Sequence, residues 1–176
     1  MLKSHSYICN FTIRNENFSL RFADDRDIPH IRRLVNEAYQ ELLQMGLNYT
    51  ASYQDEDVTR ERCRQGRTVV VENRQDDIVG SVVLHQKNYF TERHSAYISQ
   101  LAIANRYKGI GLGTYLMVWC ENLAKREGFH SIQLDTAKPA HHLIKWYKNR
   151  NYQAIGSSQW EGKSYESWIF EKIFET

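Results

Sequence analysis

Three glycines, Gly109, Gly111 and Gly113, stand between a strand-like run and a helix-like run in "ISQLAIANRYKGIGLGTYL" (98–116). A strand ending at Ile103 and a helix beginning at the last glycine aim unpaired backbone N–H groups, and the positive end of the helix dipole, at whatever rests on the loop. Glycine also permits positive φ and a close approach of a ligand to the backbone. That chemistry suits a pyrophosphate, and it equally suits a plain turn, so the loop alone leaves both readings open. A P-loop requires Gly-Lys-Ser/Thr, whereas Gly113 runs directly into Thr114. A dinucleotide fold requires G-x-G-x-x-G, and the spacing here is one residue short. Asp135 does mimic that fold's ribose-binding acid, but only about 40 residues follow it, too few for a doubly wound sheet and a substrate domain.

Other chemistry-bearing side chains carry weaker signals. His141 and His142 are adjacent, and neighbours on a helix do not share a face. His85 and His94 sit near strand ends and read as ordinary polar residues. Arg60, Arg62, Arg64 and Arg67 read as the exposed face of a helix end, with the capacity to attract an acidic acceptor. Cys9, Cys63 and Cys120 are odd in number and widely spaced, with no Cys-x-x-Cys pair, so no zinc site or redox pair is expected.

These residues need a scaffold. The chain has 176 residues, 41% hydrophobic and 25% charged, with a net charge of +2. That is the size and balance of one folded domain, without the basic excess that would imply nucleic acid or an anionic membrane. The start, "MLKSHSYICNFTIRNEN", lacks a signal-peptide core, and no long apolar run occurs, so a cytoplasmic location without membrane partners is expected.

Hydrophobic periodicity places the elements. Residues 1–17 read as an extra strand ("YICNFTI") or a loose arm, and 18–176 as the single domain. "FSLRFA" (18–23) is a strand, and "DDRDIPHIRRLVNEAYQELLQMG" is one helix with capping aspartates, Pro29 in its first turn and Gly46 as its stop. A loop with Tyr49 and Tyr53 follows, then a charged helix (54–65). "RTVVVEN" and "DIVGSVVLHQK" form a hairpin, and "SAYISQLAI" (95–103) is a third strand. Beyond the glycine loop come the helix "TYLMVWCENLAKREG", the strand "SIQLDT", the short helix "PAHHLIKWYKNRN" and a closing strand, "ESWIFEKIF". Antiparallel strands followed by one β-loop-α-β crossover define a mixed α/β sheet.

Over most of its length this pattern resembles the GCN5-related N-acetyltransferase (GNAT) superfamily. Lys108-Gly109-Ile110-Gly111-Leu112-Gly113 matches that family's Q/R-x-x-G-x-G/A motif, with Lys in place of Gln/Arg; a second register, beginning at Arg106, fits the consensus letters but shortens the loop. "FADDRDIPHIRRLVNEAY" resembles the opening strand and helix, and "VVVENRQDDIVGSVVL" the hairpin. "LIKWYKNRNY" resembles the late Tyr-x-x-x-Gly-Phe signature, with Asn151 and Tyr152 replacing Gly-Phe and Ala140 standing where asparagine is frequent. The match runs over roughly 18–173 in the right order.

The resemblance implies a GNAT-like fold, a mostly antiparallel sheet with a parallel splayed pair, flanked by helices. It also implies acetyl-CoA as cosubstrate, held by Leu101, Ala102 and Ile103 and by Lys108, Gly109, Ile110, Gly111, Leu112, Gly113 and Thr114. Tyr147 occupies the position of the family's proton donor to the departing thiolate. The base strand offers Tyr97, Ser99 and Gln100, none of them a strong base, so a water held by Ser99 or Tyr97 is expected to take the amine proton. Tyr49 and Tyr53 fall where the family covers its acceptor, a small-molecule or peptide amine, and no metal is implied. An exposed sheet edge and the apolar closing strand suit a homodimer. A non-catalytic acyl-CoA sensor of the same fold is one rival, and a nicotinamide-binding protein a second.

Overall fold

The computed structural model describes residues 7–86, 90 and 94–175. Eight strands form one sheet in the order β1-β2-β3-β4-β5-β6-β8-β7. These are β1 (Tyr7–Ile13), β2 (Glu16–Phe22), β3 (Arg67–Glu72), β4 (Ile78–His85), β5 (Ser95–Ile103), β6 (Ser131–Ala137), β7 (Gln153–Gln159) and β8 (Glu166–Ile173). Every neighbouring pair is antiparallel except β5 and β6. Helices α1 (Ile28–Ala38), α2 (Gln40–Gln44), α3 (Glu56–Arg64), α4 (Leu112–Arg126) and α5 (His141–Lys148) flank the sheet.

Alternation within the strands divides the core into layers. Leu112, Leu116, Met117 and Cys120 of α4 pack with Leu20, Val69, Val82 and Ile132. On the other face Ile28, Ile31, Leu34 and Val35 of α1 pack with Val70 and Ala102. Arg21 is buried between these elements and bonded to Asp27 and Glu72, each at 2.6 Å. Asp27 also closes a capping box with Asp24 around the 3-10 turn Asp25–Asp27 that leads into α1, so one carboxylate fixes both that turn and its attachment to β2.

The architecture is the mixed sheet with a parallel pair that the resemblance implied, with differences in detail. Residues 7–13 form a strand whose Phe11 stacks on Tyr115 of α4 at 3.7 Å; residues 1–6 lie outside the described chain. The long first helix is two helices, broken at Tyr39 (φ −96, ψ 0). The helix expected over 54–65 is shorter, because Asp55 caps it through the Val58 N–H at 2.8 Å. β7 was not foreseen: "QAIGSSQ" is an exposed edge strand and shows no apolar alternation. β7 also covers the closing strand, so β8 lies inside the sheet and offers no apolar edge. Asn151 takes the positive φ (+65) that glycine supplies at such a helix end, and Tyr152 is buried with its hydroxyl on Glu121 at 3.1 Å. Among the described residues, no helix is long and apolar enough to cross a membrane.

Candidate functional site

Two irregularities of β5 create the site. Its pairing with β6 covers Ser95–Tyr97 against Ser131–Gln133, after which β5 runs on to Ile103 and β6 to Ala137 as diverging strands. Against β4, Ser99 faces Val83 and Ala102 faces Ser81, so Gln100 and Leu101 together stand opposite one residue, a β-bulge. Gln100 takes a φ of +52 there, a left-handed conformation uncommon outside glycine.

A cavity of about 470 Å³ opens on one side of the splay and another of about 310 Å³ on the other. Tyr39, Leu101 and Tyr147 line both and form the partition between them. The break after α1 turns Tyr39 across this gap, where its hydroxyl donates to the Leu101 carbonyl at 3.2 Å.

The larger cavity gathers Leu101, Ala102, Ile103, Lys108, Gly109, Gly111, Gly113 and Thr114 on its wall. Ile110 and Leu112 face elsewhere: Leu112 is fully buried in the core and Ile110 packs against it. Gly111, at φ +118, is the residue before α4 and turns the chain into the helix. Lys108 lines the cavity, 3.6 Å from Glu41, whereas Arg106 is not in its lining and pairs with Asp77 at 2.9 Å.

Arg150, three residues beyond Tyr147, also lines this cavity and was not singled out in the sequence. Its guanidinium lies 3.9 Å from the centre of the Trp146 ring, donates to Thr114 Oγ1 and to the Trp146 carbonyl, and keeps Nε buried without a partner among the described residues. Desolvation lowers its pKa. Two cations and a glycine loop at a helix start are groups whose chemistry suits an anion. Outside the cavity lining, Arg14 in the turn between β1 and β2 donates to the Gly109 carbonyl at 3.3 Å and ties that turn to the loop.

The smaller cavity holds Tyr97, Ser99 and Tyr49. Each of the two weak hydroxyls on β5 is backed by a stronger base from a neighbouring strand. Ser99 Oγ lies 2.7 Å from Nε2 of His85 on β4, and Nδ1 of that ring lies 3.2 Å from the Gln65 carbonyl. A carbonyl only accepts, so Nδ1 carries the hydrogen and Nε2 offers its lone pair to the Ser99 hydroxyl. His85, the last residue of β4, is 3% exposed and so buried, where an ordinary polar residue was expected. Tyr97 donates to Oδ1 of Asp135 on β6, whose Oδ2 accepts from Trp160 Nε1 at 3.1 Å. Neither partner could be found by reading along β5, because both lie across the sheet from it.

Tyr147 is half-buried on the partition, and its hydroxyl has no hydrogen-bond partner among the described residues. Burial raises its pKa well above the ordinary phenol value, so it is held protonated. Tyr49 walls the smaller cavity while its hydroxyl accepts the Ala137 N–H at 2.7 Å, so it both lines the cavity and pins the loop to β6. Tyr53 is 58% exposed and stands off the wall, its hydroxyl accepting from Lys163 at 3.1 Å. His141 and His142 are both exposed, with His142 at the rim of the larger cavity. No group of three or more His, Cys, Asp or Glu side chains among the described residues is placed to hold a metal.

A splayed parallel pair, a bulged strand and a glycine loop at a helix start occur here together, and the model of the acetyltransferase (GNAT) family matches residues 28–152. The chain belongs to the GNAT acetyltransferase family. Solved structures share the fold at low identity. A GNAT-family acetyltransferase from Listeria monocytogenes superposes with a TM-score of 0.73 at 17% identity, covering 94% of this chain and 100% of that one. An acetyltransferase structure from Salmonella typhimurium, described with its cofactor acetyl-CoA, gives 0.68 at 18%, covering 91% and 95%. Among curated proteins, "Probable N-acetyltransferase 14" of Xenopus tropicalis is 32% identical over 88 residues, 50% of this chain; the match spans 41% of that relative's length.

Proposed function

We propose that this GNAT member transfers the acetyl group of acetyl-CoA to a primary amine. The observation that carries the reading is the partition of Tyr39, Leu101 and Tyr147, which lines two cavities of different make-up: one walled by the glycine loop, the other by polar and charged side chains. The anionic end of the donor fits the backbone N–H groups of the glycine loop, with Lys108 and Arg150 beside them; the unpartnered Arg150 Nε is an orphan donor that such a ligand would satisfy. The pantetheine arm follows the splay between β5 and β6, bringing the thioester to the bulge at Leu101.

From the smaller cavity the neutral amine nitrogen attacks the thioester carbonyl carbon. A C–N bond forms and the C–S bond breaks. Tyr147 gives its proton to the leaving sulfur. The proton shed by the amine passes to Ser99 Oγ as the Ser99 hydroxyl hydrogen moves to His85 Nε2. Histidine, with an ordinary pKa of about 6.5, suits this task near neutral pH better than a carboxylate at about 4. Asp135, with Tyr97, is left to hold the arriving ammonium.

Thiol release from acetyl-CoA on addition of amines, with the N-acetyl product identified by mass, tests the reading. Turnover dependent on the amine is expected. Acetyl-CoA binding without transfer to any amine would point to the sensor alternative.

A further inference from the structure

The acceptor cavity contains donors with nothing to donate to. Arg62 of α3 lines it and gives one N–H to Gln54 Oε1 at 2.7 Å. Arg62 makes no ion pair among the described residues, and its remaining N–H groups stay available. Because a guanidinium only donates, the Gln54 atom facing it is the oxygen. Gln54 Nε2 therefore points the other way, donating to Thr59 Oγ1 and to Gln100 Oε1, each at 2.9 Å. That in turn fixes Gln100: its oxygen is used, and its Nε2 is the atom left over. This nitrogen is buried without a hydrogen-bond partner, on a residue 5% exposed that also lines the cavity. Gln100 is moreover the bulge residue held at φ +52, an unfavourable conformation to retain for an idle side chain.

The other cation on the wall is already occupied. Lys163 Nζ donates to Asn48 O, Thr50 Oγ1 and Tyr53 Oη, which accounts for its hydrogens. Its charge still adds to that of Arg62. Across the same cavity, Asp135 supplies negative charge. The acceptor cavity is thus bipolar, with a carboxylate on β6 and a cation with an orphan amide at the α3 side of β5.

We infer that the acceptor is a small amino carboxylate, its carboxylate bridging Arg62 and the Gln100 Nε2 while its amine lies between Asp135 and the Tyr147 partition. This deepens the acetyltransferase reading and rests on it. Gln100 is the neighbour of Leu101, where the thioester arrives, so few bonds can separate the amine from the carboxylate. An α-amino acid meets that requirement. A polyamine would leave both donors unanswered and bring its second charge toward Arg62 and Lys163.

The test uses the whole protein with acetyl-CoA and three acceptor sets: the standard amino acids, their α-carboxamides, and amines without a carboxylate such as phenethylamine and spermidine. At least one amino acid is expected to exceed its own amide in kcat/KM by about tenfold or more. Arg62→Gln should raise KM for that amino acid about tenfold with kcat little changed, leave KM for the amide where it was, and leave acetyl-CoA affinity intact. Arg62→Lys, which keeps the charge and loses the fork, should recover part of the loss. Amides or plain amines turned over as well as every amino acid would overturn the inference, as would Arg62→Gln lowering both acceptor sets equally. So would acetyl-CoA binding with no amino acid acetylated. Failure to bind acetyl-CoA at all would instead remove the acetyltransferase reading beneath it.

Discussion

The two cavities that meet at Tyr147 are built in opposite ways. The larger cavity, proposed for the donor, draws half of its wall from one stretch, Leu101 to Thr114, and presents backbone groups at the start of α4. The smaller cavity, proposed for the acceptor, takes its wall from the break between α1 and α2, the loop after α2, α3, β5, β6, α5 and the turn between β7 and β8, and presents mainly side chains. A backbone site constrains residue types by conformation, above all by glycine, and tolerates change elsewhere. A side-chain site assembled from seven places can be rebuilt piece by piece. The difference explains how a common donor can be joined to an acceptor particular to one protein.

The sharpest way to separate the two halves is at the partition. Tyr147→Phe should lower kcat by about 10²-fold or more while acetyl-CoA binding, followed by calorimetry, stays near normal; an unchanged rate would return Tyr147 to a packing role. The sign of the pH effect follows from burial. The donating form is the protonated one, present below the phenol pKa, and that pKa is raised above its ordinary value of 10. Any alkaline fall in kcat due to this group should therefore lie above pH 10, and a tyrosine-dependent fall below it would contradict the assignment.

Next in size are the acceptor-side bases. Ser99→Ala and His85→Gln should each lower kcat about tenfold or more, and the double variant should be scarcely worse than either one, since the two act in series. Multiplicative losses would break the relay. On the donor side, Gly113→Ala is a milder probe than a change at Gly111, because Gly113 lacks the positive φ and an added Cβ would meet Trp146 at an ordinary 3.6 Å. It should raise stability by about 0.5 kcal/mol while weakening acetyl-CoA binding several-fold, read by melting and titration on the same sample. The smallest effect is expected of Tyr49→Phe. It leaves the Ala137 N–H without its acceptor, for a stability loss of about 1–2 kcal/mol with kcat little altered; a large loss of kcat would make Tyr49 part of the acceptor chemistry.

The same contrast governs how much could be read from the sequence. Strand, glycine loop and helix are consecutive, so β5, Gly109, Gly111, Gly113 and α4 could be read together, along with the buried apolar stripe of α4. The break at Tyr39 was hidden because apolar spacing runs on from Ala38 to Leu42 across it. β7 was hidden because an exposed edge strand need not alternate. His85 looked ordinary because its partner, Ser99, is 14 positions away and becomes adjacent only when β4 pairs with β5. Arg62 was noticed as a helix-end cation able to attract an acidic group. What the fold adds is Gln54 and Gln100, which turn one arginine among several into a directed donor.

The central claim is that the glycine loop and the splay beside it hold acetyl-CoA. Calorimetric titration of the protein with acetyl-CoA, with NAD as the control ligand, tests it most directly. Micromolar binding of acetyl-CoA and none of NAD is the predicted result. Binding of NAD, or no binding of acetyl-CoA, would contradict the account and return Gly109, Gly111 and Gly113 to turn chemistry.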